Sequence, residues 1–198
     1  VNIYSARQEA LIKPLLDKFS EQMAVKVNLV TGKGDALLMR LVNEGENSPA
    51  DILLTVDAGR LYRAQQANVL KPIDSSTIKE LVPDNLKSLD DLWVGLSIRA
   101  RVIIYSKDRV NPEDLESYES LADDQWSDRI CIRSSSNIYN QSMVAGMIAQ
   151  NGLEKTEQWL QRFTANFARR PAGGDRDQIK AVAAGECDLA VANSYYLG

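Results

Sequence analysis

The sequence predicts an α/β protein made of two lobes, each a mostly parallel β-sheet flanked by helices. Short apolar runs alternate with segments in which apolar residues recur at helical spacing. This alternation is typical of parallel strands joined by crossover helices. It lapses in the polar stretch SSTIKELVPDNLKSLDD and restarts after a long apolar run, which indicates a second lobe. A chain of 198 residues is long enough for two small domains.

The first lobe is predicted over residues 1–92. Its strands are predicted in the runs VNIYS, KVNLVTG and ADILLTVD. The helices that follow them are predicted in RQEALIKPLLDKFSEQM, GDALLMRLVNEGEN and AGRLYRAQQANV. Because each strand is followed by a helix, we expect these three strands to pair in parallel.

A long strand over residues 93–105 is predicted to cross from the first lobe to the second. The run WVGLSIRARVIIYSK is far longer than an ordinary strand. The second lobe, residues 106–198, repeats the alternation. We predict a short helix in YESLADDQW, strands in RICIRS and CDLAVAN, and helices in NIYNQSMVAGMIAQNG, LEKTEQWLQRFTANF and DRDQIKAVAAGE.

Composition and charge exclude several classes of function. The net charge is −4 and the pI about 5.0, so the global field does not favour nucleic acid or an anionic membrane. No apolar run approaches the roughly 18 residues that span a bilayer. The chain starts without Met in a predicted strand, as it would after removal of a signal peptide, although a trimmed chain would look the same.

The absence of histidine bears on chemistry. It removes Ser-His and Cys-His nucleophile pairs and the usual ligand of zinc and copper. No pair of carboxylates stands out at the strand ends, and we interpret Asp57 and Asp175 as helix caps or surface charges. We therefore predict a binding protein rather than an enzyme.

Polar stretches near the carboxyl ends of strands are the candidate binding residues, because ligands of open α/β sheets bind there. Arg99 and Arg101 lie two apart in a predicted strand, share a face and offer planar forks for a small oxyanion. The alternative is two solvated or ion-paired arginines. RSSSNIYN begins a predicted helix, so its Ser and Asn residues either cap that helix or help its N-terminus bind an anion.

Three tyrosines can complete such a site. Tyr195 and Tyr196 follow the last predicted strand, and Tyr139 lies in the first turn of the helix after RSSS. Adjacent tyrosines alone are more often packing or interface residues. Three phenolates and an oxyanion, however, form a hard all-oxygen set that suits a highly charged cation. A phenol with a pKa of about 10 is protonated at neutral pH, and a trivalent cation displaces that proton. The set points to Fe(III).

The chain resembles the periplasmic ferric-ion-binding proteins of ATP-driven iron importers, which have the type II periplasmic binding protein fold. The resemblance covers the whole chain and rests on several stretches in the same order: YSARQ, SPADILLTVDAGRL, LSIRARVIIYSKDRV, RSSSNIYNQS, NFARRPAGGDRDQIKAVAAGECD and NSYY. It implies a monomer that captures Fe(III) in the periplasm and delivers it to an inner-membrane ABC permease. The alternative is a protein of the same fold that binds a small oxyanion such as sulfate, molybdate or phosphonate.

The resemblance also implies the site residues. The family's adjacent tyrosine ligands fall on Tyr195 and Tyr196, and the third tyrosine of its carbonate-using branch falls on Tyr139. A synergistic anion, carbonate or bicarbonate, is expected at the helix start, and branch relatives share the cysteine pair as a disulfide. The implied anion-binding residues are Arg7, Gln8, Arg101, Ser135, Ser136 and Asn137; the implied disulfide joins Cys131 to Cys187.

From the residues alone, Cys131 and Cys187 are either a disulfide or two small buried thiols. The sequence departs from the family in other places. Arg7 and Gln8 occupy the position where many members have a histidine ligand, and Val56, beside Asp57, replaces a glutamate ligand. We therefore expect little direct ligation from the first lobe. Family members are also longer, so the chain is expected to lack a C-terminal segment that completes both lobes.

Overall fold

A computed structural model describes residues 1–196, so the last two residues of the predicted second lobe, 197 and 198, lie outside the described residues. The chain divides into two compact units, Val1–Leu96 and Ser97–Gly198. The division falls inside the stretch predicted as a crossing strand. Each unit is built around its own three-stranded sheet.

The first unit (unit 1) has a wholly parallel sheet with the strand order β2-β1-β3. Its strands are β1 (Asn2–Ser5), β2 (Asn28–Thr31) and β3 (Ile52–Leu54). Its helices are α1 (Glu9–Met23), α2 (Gly34–Glu44), α3 (Ala58–Gln66) and α4 (Ser76–Leu81). The predicted alternation of strand and helix is confirmed. The polar stretch that follows it contains one further short helix, α4.

The second unit (unit 2) has a sheet with the order β4-β6-β5, in which β6 runs parallel to β5 and antiparallel to β4. Its strands are β4 (Arg101–Tyr105), β5 (Ile130–Cys131) and β6 (Leu189–Asn193). Its helices are α5 (Ile138–Asn151), α6 (Leu153–Ala165) and α7 (Asp175–Ala184). Short 3-10 helices at Glu119–Ala122 and Asp124–Trp126 replace the predicted helix in YESLADDQW. The predicted α/β class is confirmed.

The strand predicted over residues 93–105 is much shorter in the structure. Only Arg101–Tyr105 forms a strand, paired with β6, while Val94 makes a single bridge to Lys87. Leu96 and Ile98 are exposed. A strand needs a continuous ladder with a neighbouring backbone. Before Arg101 the described segment has only that bridge and a 2.9 Å backbone hydrogen bond from the Ser194 N–H to the Ala100 carbonyl.

The core of unit 2 surrounds β6, whose five residues are all buried. Trp159 and Phe163 of α6 stack with ring centroids 4.5 Å apart, and Phe167 meets Phe163 edge-on at 4.9 Å. Cys131 of β5 and Cys187, just before β6, form a disulfide with their Cα atoms 5.9 Å apart. This bond ties two neighbouring strands together beneath α7. Among residues 1–196, no helix is long and apolar enough to cross a membrane.

Candidate metal and anion site

The tyrosine pair lies at the end of the central strand of unit 2. β6 ends at the buried Asn193, and the 3-10 helix Ser194–Tyr196 follows directly. The Tyr195 and Tyr196 rings lie 4.6 Å apart at an angle of 55°. Asn193 Nδ2 donates a 2.9 Å hydrogen bond to the Tyr195 hydroxyl. Tyr195 is 54% exposed, so its phenol is both anchored to the strand end and open to a ligand.

The environment of Tyr196 favours the neutral phenol. Burial, the hydrogen bond with Tyr195 and the charges of Tyr195 and Asp175 raise the Tyr196 pKa above its ordinary value of 10.0, and the Arg176 charge opposes them. Arg176 also lies over the Tyr196 ring, 5.6 Å from its centroid. A cation that binds the Tyr196 oxygen as a phenolate must therefore displace a firmly held proton.

Tyr139 lies where the sequence predicted, in the first turn of α5. Asn137 caps this helix and accepts a 3.0 Å hydrogen bond from the Tyr139 backbone N–H. Three guanidinium groups surround the Tyr139 ring: those of Arg99, Arg133 and Arg101 lie 4.4, 5.3 and 5.8 Å from its centroid. Arg99 and Arg101 thus meet the same ring, and the surroundings of this phenol are strongly positive.

Asp175 connects the arginines to the end of β6. Its side chain is 0% exposed and accepts from Arg101 Nη1 at 2.7 Å and from Arg133 Nη1 at 3.1 Å. It also accepts a 3.0 Å hydrogen bond from the backbone N–H of Asn193. The interpretation of Asp175 as a cap or surface charge was therefore wrong, because two guanidinium groups and a backbone amide compensate a fully buried carboxylate.

The remaining donors of Arg101 are largely used within the unit. Nη1 also donates to Asn193 Oδ1 at 3.1 Å, and Nη2 donates to Asn140 Oδ1 at 2.8 Å and to the Val191 carbonyl at 3.1 Å. The Nε groups of Arg101 and Arg133 are buried and have no hydrogen-bond acceptor among the described residues. These two N–H groups are donors that a small oxyanion or a water molecule would satisfy.

The other predicted anion-binding residues lie in two places. Ser135 and Ser136 are exposed at the start of α5, where Ser136 Oγ lies 2.9 Å from Ser134 Oγ. Arg7 and Gln8 are exposed in unit 1, between β1 and α1.

Hydrogen bonds, together with cation-π contacts at Tyr139 and a ring contact between Tyr195 and Tyr196, link the predicted tyrosines of unit 2. This network runs from the arginines around Tyr139 through Asp175 and Asn193 to Tyr195 and Tyr196. Sequence reasoning missed Arg133, Asn140, Asp175 and Asn193. The signal for them was their position: Asn193 ends β6, Arg133 lies two residues after β5, and Asp175 and Asn140 lie in the first turns of α7 and α5. Within residues 1–196, no group of three or more Asp, Glu, Cys or His side chains could hold a metal ion.

The chain belongs to the bacterial extracellular solute-binding proteins, whose family model matches residues 47–197. The family consists of binding proteins and not enzymes, as the sequence predicted. Iron uptake protein A1 of Synechocystis sp. is 49% identical over 100% of this chain. The Fe(3+)-binding periplasmic protein of Serratia marcescens is 30% identical over 98% of it.

Solved structures agree with these relatives. The Trichodesmium protein IdiA/FutA, in complex with iron and citrate, matches 100% of this chain with a TM-score of 0.95 and 53% identity. Apo FutA2 from Synechocystis matches 99% with a TM-score of 0.92 and 49% identity. The resemblance to ferric-ion-binding proteins is confirmed. The chain spans 55% of the Synechocystis protein A1 and 62% of the Trichodesmium chain.

Proposed function

We propose that this chain is the ferric-ion-binding part of a periplasmic solute-binding protein that delivers Fe(III) to an ABC-type permease. The single observation that carries the proposal is the tyrosine pair on the buried end of β6, joined by one network to the arginines around Tyr139. The names of the Synechocystis and Serratia relatives support iron as the cargo. The Serratia name supports a periplasmic location, which for this chain would follow removal of a signal peptide.

The proposed ligands are the phenolate oxygens of Tyr139, Tyr195 and Tyr196. Phenolate is a hard oxygen ligand, and Fe(III) is a hard, highly charged ion that favours it. The three guanidinium groups near Tyr139 offset the negative charge that three phenolates bring to the site. Since each phenol must lose its proton, iron binding is expected to release protons and to weaken as the pH falls.

A synergistic anion is proposed to complete the coordination, with carbonate or bicarbonate as the first candidate. Ser135, Ser136 and Asn137 at the start of α5 would hold it, together with Arg101. The buried Nε groups of Arg101 and Arg133, which lack an acceptor in the described chain, support an oxyanion there. Contacts from Arg7 and Gln8 of unit 1 stay a prediction from the resemblance. Citrate is the second candidate anion, because the Trichodesmium structure contains iron and citrate.

The test is a visible spectrum of the purified protein during titration with ferric ion, with bicarbonate, with citrate and with neither. We expect a phenolate-to-iron charge-transfer band that needs one of the anions. The double variant Tyr195→Phe/Tyr196→Phe should lose the band, whereas Tyr62→Phe, at an exposed tyrosine of α3, should keep it. Full retention of the band in the double variant would remove these residues as ligands.

Calorimetry tests the alternative that the cargo is a small oxyanion. Sulfate, molybdate and a phosphonate are titrated into the iron-free protein, and we expect no tight binding. Strong binding of one of them, without any ferric band, would make the chain an oxyanion-binding protein instead.

Sedimentation of the iron-loaded protein checks the proposed monomer.

A further inference from the structure

We propose that Asp175 is a positioning residue that fixes the tyrosine pair for its ligand, and that Arg101 and Arg133 serve it as internal counter-ions. The inference rests on the proposed function, since it concerns the same site. Asp175 acts through the end of β6, because its side chain holds the Asn193 backbone.

The first step is the hold of Asp175 on the backbone. Its Oδ2 atom accepts the Asn193 N–H at 3.0 Å, which fixes the last residue of β6. The Asn193 side chain then donates to the Tyr195 hydroxyl at 2.9 Å. The direction of the Tyr195 phenol is therefore set two residues after the strand by a carboxylate from the first turn of α7.

The second step is the hold of Asp175 on the arginines. Each carboxylate oxygen accepts from one guanidinium Nη1, so the two planes are fixed relative to one another. In that orientation their Nε–H groups are left without acceptors in the described chain. Asp175 thus neutralises one of two partly buried positive charges and leaves two donors for a bound anion.

Unit 2 contains a matched bridge at the opposite end of β6. Asp188, directly before β6, accepts from Arg109 Nε at 2.5 Å and from Arg129 Nε at 2.6 Å. Both carboxylates join two arginines, but only the bridge of Asp175 leads to the tyrosines. Asp188→Asn is therefore the control for Asp175→Asn: both remove a charge from an Arg-Asp-Arg bridge of the same unit.

The first measurement needs no iron. The protein is labelled with 3-fluorotyrosine, and the Tyr195 and Tyr196 resonances are assigned in the 19F NMR spectrum from the single Tyr→Phe variants. We expect Asp175→Asn to shift and broaden these two resonances and Asp188→Asn to leave them in place. If Asp175→Asn leaves both resonances unchanged in a folded protein, the proposal is overturned, whether or not the protein binds iron.

The second measurement is the rate at which iron passes to a chelator, followed by loss of the charge-transfer band. We expect Asp175→Asn to accelerate release by about 10- to 100-fold, as is typical when a group that orients metal ligands is removed. Asp188→Asn should release iron at the wild-type rate. If the two variants released iron at equal rates, the proposed role of Asp175 would be overturned. A charge-transfer band in the wild type would still uphold the proposed function. A wild type without the band would defeat the proposed function, and the 19F result would still decide the role of Asp175.

A second variant covers the case in which Asp175→Asn does not fold. Asn193→Ala removes the hydrogen bond to Tyr195 and the one from Arg101 Nη1, and keeps the buried carboxylate with its bonds to both arginines. We expect it to move the Tyr195 resonance and to accelerate iron release more than Asp188→Asn does. An Asn193→Ala protein with wild-type resonances and wild-type release would break the proposed path from Asp175 to the tyrosines.

Discussion

The two units have sheets of equal strand number but bury very different amounts of apolar side chain. In unit 2, all of β6 is buried against a cluster that includes Trp126 and Phe163. In unit 1, α1 buries Ile12 and exposes a row of apolar side chains along its other face: Leu11, Leu15, Phe19 and Met23. The proposed ligands all belong to the more fully packed unit, where a rigid framework can hold them in place.

The ion pairs of Asp175 and Asp188 in unit 2 are also more deeply buried than the ion pair of Asp35 in unit 1. Asp175 and Asp188 of unit 2 each join two arginines, and their side chains are 0% and 16% exposed. Asp35 of unit 1 pairs with Arg60 but is 59% exposed. Since water screens an exposed pair, the pair of Asp35 and Arg60 contributes little to stability, and the pairs of Asp175 and Asp188 contribute more.

The largest expected effect is in the core of unit 2. Phe163→Ala removes a ring that is 2% exposed and packs against both Trp159 and Phe167, so we expect a loss of about 3–5 kcal/mol in unfolding free energy. Phe19→Ala in α1, where the ring is 39% exposed, should cost about 1 kcal/mol or less. Urea unfolding followed by circular dichroism measures both. Equal losses would contradict the contrast in packing.

The disulfide should rank next. Cys131 and Cys187 enclose a loop with a sequence separation of 56, and removing the bond restores freedom to the unfolded chain. We expect the double variant Cys131→Ser/Cys187→Ser to lose about 2–4 kcal/mol. The measurement is thermal and urea unfolding, with the reduced wild-type protein as the control. Two freely alkylated thiols in the folded, unreduced protein would contradict the bond itself.

The third effect depends on pH. Burial alone would raise the Asp188 pKa, but hydrogen bonds and charges from Arg109 and Arg129 outweigh it and hold the pKa below its ordinary 3.8. A carboxylate with a lowered folded-state pKa adds stability above its unfolded-state pKa and loses it as the pH falls through the folded-state value. Asp188→Asn should therefore cost about 1–3 kcal/mol at neutral pH and progressively less in acid.

The matched variant for this pH effect is Asp35→Asn in unit 1. The hydrogen bond from Arg60 lowers the Asp35 pKa as well, although burial opposes it. Because this pair is exposed, we expect a cost of less than about 1 kcal/mol. Unfolding curves recorded from neutral to acidic pH compare the two variants. A larger and steeper loss for Asp35→Asn would reverse the proposed order of the units.

The smallest effect is expected on the exposed face of α1. Leu15 is 62% exposed, so Leu15→Gln should change the unfolding free energy by no more than about 0.5 kcal/mol. Ile12→Ala, on the buried face of the same helix, should cost about 2 kcal/mol or more. Urea unfolding of both variants makes the comparison within one helix. A large loss for Leu15→Gln would show that the exposed row is packed after all.

The sequence predicted the order of strands and helices because that order depends on local periodicity. Leu37, Leu38 and Leu41, for example, repeat at helical spacing and form the buried face of α2. The strand predicted over residues 93–105 was too long because a strand, unlike a helix, depends on pairing with another part of the chain. Apolar residues such as Leu96 and Ile98 indicate a preference for extended structure, but they carry no information about a partner strand.

The site was predictable in part. Tyr139, Tyr195 and Tyr196 follow strand ends or begin a helix, so their positions could be read from neighbouring residues. The role of Asp175 could not, because its partners Arg133 and Arg101 lie 42 and 74 positions away along the chain. Only the tertiary fold shows that a residue resembling a helix-start charge is fully buried between two arginines.

The position of β6 has a consequence for how solvent reaches the backbone. Its amides lie between β4 and β5 beneath fully buried side chains, so their hydrogens should exchange with deuterium only when unit 2 opens as a whole. Tyr195 lies only two residues after the end of this strand and is half exposed. Slow exchange in β6 and faster exchange just after it are thus expected side by side, and the proposed ligand capture would take place on the boundary between them.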